Sequence, residues 1–139
     1  MKFDTKPDAK GVVSRERLQE FRDEEHAHFK LLADAIEQLG GDPTAMTPCA
    51  NLVGVQAAGL MQAINDPRTS LTQCITTILI AELADECAWQ LLIDLAHSSV
   101  HDDLAQRFRA ALQEEQDHLQ QVRAWLKDMT LAEASLMPS

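Results

Sequence analysis

Glycine and proline are scarce in this 139-residue sequence, with five of each, which argues against an all-β chain rich in tight turns. No run of 18 uncharged apolar residues occurs, so no transmembrane helix is expected. The first seven residues contain no apolar stretch, so a secretory signal peptide is not expected either. The length, with apolar residues at 45%, suits one domain with a single core.

Basic residues are also few, because 12 Lys and Arg stand against 22 Asp and Glu, for a formal net charge of −10. Binding to nucleic acid or to anionic lipid depends on Lys and Arg that neutralise phosphates, so neither partner is expected. A chain of this charge suits partners that are themselves cationic, and metal ions are among them.

Cysteine is limited to Cys49, Cys74 and Cys87, which have no Cys-x-x-Cys spacing. An odd, scattered set of cysteines indicates free thiols in a reducing compartment, and not a disulfide framework or a zinc knuckle. A cytoplasmic location is therefore expected.

Helical periodicity dominates from residue 14 onward, and no segment alternates apolar and polar residues with period two. The fold class is therefore predicted to be all-α. We predict a flexible N-terminal arm over residues 1–13, a helical bundle over 14–130 and a frayed tail over 131–139. The bundle contains three long helices, near residues 14–39, 69–98 and 102–129, and a short helix near 49–64.

The lengths of the connections constrain the arrangement of these helices. The link from His97 to His101 is tight, so the last two long helices are expected to form an antiparallel hairpin. Residues 40–68 are too many for a simple turn between packed helices. A connection of that length can travel the length of a bundle, which permits the first two long helices to run parallel.

Each long helix carries two polar residues in the middle of its apolar stripe. A lone buried carboxylate costs several kcal/mol and is normally paired or bound to a metal. Two of these carboxylates, Glu82 and Glu115, lie about 18 and 15 residues from the predicted hairpin turn, a mismatch of less than one helical turn. The sequence therefore predicts a cation between the three helices, beside the pairs Glu25 and His28, Glu82 and Asp85, and Glu115 and His118.

The spacing of these residues suits metal ions. In a Glu-x-x-His pair, positions i and i+3 lie about 60° apart on the helix and one turn along its axis, so both side chains can reach one ion. Two such pairs and a carboxylate from a third helix suit two transition ions, with iron, manganese or zinc favoured over calcium or magnesium. The predicted ligands are Glu25, His28, Glu82, Glu115 and His118.

Two sequence strings resemble the EExxH elements of the ferritin-like superfamily: Glu24-Glu25-His26-Ala27-His28 and Glu114-Glu115-Gln116-Asp117-His118. The resemblance covers roughly residues 14–128. It implies a four-helix bundle with a di-iron site, in which Glu25 and Glu115 bridge the ions, His28 and His118 are terminal ligands, and Glu82 completes one ion. The implied chemistry is oxidation of ferrous iron by dioxygen or peroxide.

One part of the family pattern has no counterpart here, because no helix carrying a Glu is expected before residue 14. In the family, that Glu would complete the ion nearest His28. Three explanations stay open: a partner chain supplies a fourth helix, the site is incomplete, or the sequence belongs to a longer protein. Three helices alone would leave a groove open, so a homodimer or larger oligomer is expected. The absence of tyrosine removes a common redox-active neighbour.

Two functions remain at this point, and the residues do not decide whether the chain is an enzyme. One is a metal-binding protein with a dinuclear carboxylate and histidine site for iron. The other is a non-catalytic bundle for interaction or stress response, with a vestigial or structural metal site. Asp85 lies on the apolar stripe, where it could accept a hydrogen bond from a ligating histidine, whereas Glu86 lies off the stripe and is expected to be solvated.

Overall fold

The computed structural model describes residues 13–136, and this part of the chain contains four α-helices and no strand. The helices are α1 (Arg15–Gln38), α2 (Pro48–Asn65), α3 (Leu71–Ser98) and α4 (Asp102–Leu136). The all-α prediction, with three long helices and a shorter one in the connection, is confirmed. Of the predicted arm 1–13 only Val13 is described, with a buried side chain, and the rest lies outside the described residues, as do residues 137–139 of the predicted tail.

Side chains at the helix ends explain where the helices start and stop. Ser14, Thr47 and Ser70 each accept a hydrogen bond from a backbone N–H in the first turn of α1, α2 and α3. At the start of α3 the side-chain oxygen of Gln73 also accepts a hydrogen bond from the backbone N–H of Ser70, which completes a capping box. Gly40 follows α1 with φ of +83°, a left-handed conformation that favours glycine.

Two apolar clusters hold α1, α3 and α4 together, one towards each end of the bundle. The first joins Phe21 of α1 to the start of α3 and the C-terminal half of α4, through Leu71, Ile75, Val122, Trp125 and Met129. The second joins Ala35 of α1 to the end of α3 and the start of α4, through Trp89, Ile93, Ala96, Leu104 and Phe108. Helices α1 and α3 therefore run parallel, and α4 runs antiparallel to both.

The remaining helix, α2, packs against α3. None of its side chains is buried, although its 18 residues include no charged residue. The large apolar side chains that it exposes are Leu52, Val53, Val55 and Met61. A helix without charges on any face is normally covered by other parts of a protein.

Helix α4 continues to Leu136, past the predicted end near Met129. The residues added, 130–136, include two Leu, two Ala and one Glu, which favour helix, and the Thr72 hydroxyl of α3 donates a hydrogen bond to Glu133. No described helix is long and apolar enough to cross a membrane.

Candidate metal centre

The predicted site residues lie between the two apolar clusters, where α1, α3 and α4 face one another. Glu115 and His118 of α4 have no exposed surface, and Glu82 of α3 and His28 of α1 are also buried. Glu25 of α1 is half-buried. Each of these residues occupies the inner stripe of its helix, because steps of three and four residues keep them in line with the apolar residues above and below.

Four of the five predicted ligands converge on one point. Glu25, Glu82, Glu115 and His118 each offer one atom of a set that lies within 4.8 Å of one another. The Nδ1 atom of His118 is 3.2 Å from Glu25 Oε1, 3.6 Å from Glu82 Oε2 and 3.8 Å from Glu115 Oε2. Three carboxylates from three helices thus surround one imidazole nitrogen.

The fifth predicted ligand, His28, lies on the other side of Glu115. Its Nδ1 atom donates a hydrogen bond of 3.0 Å to Glu115 Oε1 and is 4.0 Å from Glu25 Oε2. The rings of His28 and His118 are 6.3 Å apart, centre to centre. Glu25 and Glu115 therefore stand between two histidines, and each histidine directs Nδ1 towards them.

Two residues outside the predicted ligand set hold the outer nitrogen of each histidine. His118 Nε2 donates to Glu24 of α1, and His28 Nε2 donates to Glu114 of α4 at 3.0 Å. The first Glu of each EExxH string therefore orients the histidine of the opposite string. Carboxylates that bond the outer nitrogen of a ligating histidine fix its ring and raise its basicity. In the sequence, the only signal for Glu24 and Glu114 as partners of the histidines was that each directly precedes a predicted ligand, Glu25 or Glu115.

Aromatic rings close the ends of the site. Phe21 packs on the ring of His118 at 4.2 Å between ring centres, and Trp89 meets the edge of His28 at 5.4 Å. Phe21 and Trp89 also belong to the two apolar clusters. The packing that forms the bundle thus holds both histidines in place.

The charges in the site are strongly coupled. Burial alone would lower the pKa of His118, but its contacts with Glu115, Glu25 and Glu82 outweigh burial and raise it to about 12. Burial would likewise raise the pKa of Glu115, but the two histidines lower it below its ordinary value. Burial raises the pKa of Glu82 to about 7, aided by the nearby charge of Glu115 and opposed by His118. Without a metal, the protonated rings of His118 and His28 therefore balance the carboxylates.

Asp85 and Glu86 are both half-buried, so burial does not separate them as the stripe predicts. Asp85 is half-buried, and burial with the charges of Glu115 and Glu25 raises its pKa to about 6. It makes no hydrogen bond to either histidine, so the suggested role as acceptor for a ligating histidine is wrong, and Glu24 and Glu114 fill that role. Glu86 instead accepts a bond from Gln116 at 3.4 Å.

A cavity of about 220 Å³ opens beside the site between α1 and α3. It reaches Glu25, His28, Asp85 and Glu115, and it ends at apolar side chains that include Leu32 and Leu92. The same two leucines border an apolar cavity of about 420 Å³ nearer the ends of α1 and α3. No residue of α2 lines either cavity.

The donor atoms fit a metal ion. Glu25 Oε1, Glu82 Oε2, Glu115 Oε2 and His118 Nδ1 are buried, and within the described residues none of them makes a hydrogen bond. Buried polar atoms without partners are rare in folded proteins and call for an explanation. Carboxylate oxygens and an imidazole nitrogen at this separation are ligands that iron, manganese and zinc accept. The assignment of the five residues as ligands stays a prediction.

Comparison with known proteins gives one match. A family model described as a ferritin-like domain matches residues 13–132. No curated protein and no solved structure matches the chain.

Proposed function

The chain belongs to the ferritin-like family, and on this premise we propose that it binds two iron ions between α1, α3 and α4 and oxidises ferrous iron with dioxygen or peroxide. The observation that carries the proposal is the set of four buried donor atoms at one level of the bundle, none of which makes a hydrogen bond within the described residues. Manganese or zinc could occupy the same donors, because all three metals accept carboxylate and imidazole.

The residues take distinct roles in this proposal. Glu25 and Glu115 lie between the two histidines, so they would hold both ions, and His28 and His118 would each hold one ion through Nδ1. Both ring nitrogens of His28 now donate to carboxylates, which requires the protonated ring, so metal binding must displace the Nδ1 proton. A bound pair of iron ions would supply the one-electron steps needed to reduce dioxygen or peroxide. Glu24 and Glu114 hold the rings in position and keep them basic.

The second candidate function is a non-catalytic bundle for interaction or stress response, with a vestigial or structural metal site. The composition of α2 favours it, because this helix contains no Asp or Glu and cannot provide the carboxylate that the family's first helix contributes. A structural site would bind metal and stabilise the fold without accelerating oxidation of iron. The rate of iron oxidation therefore distinguishes the two functions.

The proposed function predicts a metal response that depends on His28. Ligand that binds only the folded state stabilises by about 2.7 kcal/mol at a hundredfold excess over its dissociation constant. Ferrous ions under anaerobic conditions should therefore raise the melting temperature of the wild type by several degrees, and admission of air should give ferric iron faster than in buffer alone. The variant His28→Gln should lose most of both effects.

The matched control is His26→Gln, which removes an exposed histidine two residues away on the same helix. It should behave as the wild type in melting and in the rate of iron oxidation, followed by ferric absorbance. A wild-type melting temperature that no divalent transition metal changes would contradict the ferroxidase and the structural site, and would leave a bundle with a vestigial site. A melting response without faster oxidation would exclude the ferroxidase and leave the structural site.

We also propose that the chain forms a homodimer or larger oligomer in the cytoplasm. Support for association comes from α2, an uncharged helix whose apolar side chains face solvent in the single chain. Two chains of net charge −10 can approach along such a surface without bringing carboxylates together. The cytoplasmic location is supported by the three cysteines, none of which forms a disulfide.

Sedimentation at micromolar concentration tests the assembly. The wild type should sediment as a dimer or larger species, and Val55→Glu should shift it towards the monomer, because Val55 is 70% exposed on α2 and a charge there would be buried on association. Gln120→Glu, which adds the same charge on the exposed side of α4, should leave the assembly intact. A wild type that sediments as a single monomeric species would exclude the oligomer.

A further inference from the structure

The apolar cavity of about 420 Å³, which we call the end cavity, lies between the C-terminal ends of α1 and α3 and the start of α4. Apart from Ser99 and His101, every side chain that lines it is apolar. Three of these lining side chains stay largely in solvent, because Ile36 is 40% exposed, Leu39 57% and Leu95 61%. An apolar surface of this kind, open to water, marks a site where a partner binds.

Helix α2 exposes a surface of the same chemistry. It carries no charged residue and buries no side chain, and Leu52 is 61% and Val55 70% exposed. Near its end, the carbonyl oxygen of Ile64 accepts a hydrogen bond of 3.8 Å from the Cys74 thiol of α3. Val55 precedes Ile64 by nine residues, which is half a turn around the helix. It therefore lies on the side of α2 away from this contact with α3.

The chain's own α2 is too short to fill the end cavity. This helix returns from the end of α1 to the start of α3, where Ile64 meets Cys74. From Ile64 back to Pro48 the helix measures about 24 Å, so it reaches at most the level of about residue 90 of α3. On α3 the end cavity begins at Leu92 and continues to Ser99. No residue of α2 lines it, so its occupant must come from elsewhere.

A second copy of the chain can supply this occupant without burying a charge. Each copy has a net charge of −10, so two copies repel each other except where charged residues are absent. Neither α2 nor the lining of the end cavity contains Asp, Glu, Lys or Arg. In a two-fold dimer each copy presents the same surfaces, so a contact between α2 and the end cavity forms twice. One such dimer therefore covers both apolar surfaces.

We propose that the first half of α2 of one chain docks in the end cavity of a second copy, and that the two-fold axis repeats the contact. The proposal rests on the association proposed above and identifies the surface that receives α2. Removal of apolar side chains from water on both partners stabilises the contact. A dimer in which α2 packs only against α2 would leave the end cavity open.

Sedimentation of variants in the end cavity tests the proposal. Ile36→Glu should be monomeric at concentrations where the wild type is a dimer, with a dissociation constant raised at least about 100-fold, because each dimer would bury two added charges. Leu95→Glu, on the opposite wall, should act in the same way. The matched control is Gln38→Glu, which adds the same charge at an exposed position in the last turn of α1 and should sediment as the wild type. The melting temperature of each variant reports on folding.

Photo-crosslinking identifies the occupant of the end cavity. With p-benzoylphenylalanine in place of Val55, an equal mixture of isotope-labelled and unlabelled chains should give products between two chains that join α2 to the ends of α1 or α3. Products confined to one chain, or products that join two α2 helices, would overturn the proposal. Folded Ile36→Glu and Leu95→Glu that still dimerise would overturn it and leave the association through α2 standing. A monomeric wild type would overturn both.

Discussion

Replacing His118 with leucine should destabilise the metal-free protein by about 3–5 kcal/mol at neutral pH, which is the usual cost of removing one partner from a buried ion pair. His118 is fully buried and is the cation nearest to Glu25, Glu82 and Glu115. Without it, these carboxylates share one level of the bundle with no compensating charge beside them except that of His28. Urea unfolding in the presence of a chelator measures the loss directly.

The double variant, with Glu115→Gln added to His118→Leu, should recover most of that loss. One negative and one positive charge are removed together, and leucine adds apolar packing against Phe21. Replacing a buried ion pair with residues of similar volume is often neutral or stabilising, so the metal-free double variant should be as stable as the wild type or more stable. It should also lose most of the stabilisation by metal. Surface substitutions change the free energy of unfolding by about 0.5 kcal/mol or less. A change of that size in His118→Leu would show that His118 does not balance the charges of the three carboxylates.

The metal-free wild type should become less stable as the pH rises from 5 to 8. Glu82 has a pKa of about 7 in the folded chain against an ordinary value of 4.5, so the folded state holds this proton more tightly than the unfolded state. A shift of that size lowers the free energy of unfolding by about 3 kcal/mol as the pH rises from the ordinary pKa to the raised one. The raised pKa of His118 acts in the same direction above its ordinary value of 6.5. The lowered pKa of Glu115 acts only below pH 4.5 and does not oppose the trend in this range.

Chemical unfolding in chelator at several pH values would measure this slope. Glu82→Gln is the matched variant, and it should show a shallower decrease between pH 5 and 7 because it no longer titrates there. With manganous ions present the trend should reverse, since bound metal needs ionised carboxylates and a free Nδ1, and metal binding therefore releases protons. Stability of the metal-free wild type that stays constant or rises from pH 5 to 8 would contradict the charge balance assigned to the site.

The sequence alone predicted the parts of the site that follow from helical periodicity. The apolar stripes of α1, α3 and α4 place Glu25, Glu82, Glu115 and His118 on the inner faces, and the tight link near residue 100 sets the level of α3 against that of α4. These relations depend only on steps of three and four residues and on the rise of the helix. The fold class and the family followed from the same residues.

Other features depend on contacts that no single helix specifies. The bonds from Glu24 to His118 and from Glu114 to His28 arise only when α1 and α4 face each other at one level. The position of α2 was equally hidden, because an uncharged helix has no polar face to indicate which side is covered. The last turns of α4 are bonded by the hydroxyl of Thr72 of α3, which lies 61 residues before its partner Glu133 in the sequence.

The cavity between α1 and α3 would also govern how fast a bound metal leaves the protein. The ring of His118 is fully buried beneath Phe21, whereas His28 borders a cavity that α2 does not line. An ion held at the His28 end would therefore have the shorter path to solvent and to a chelator. The two ions of the proposed centre would therefore have unequal residence times, and the centre would release and reload its metal from one end.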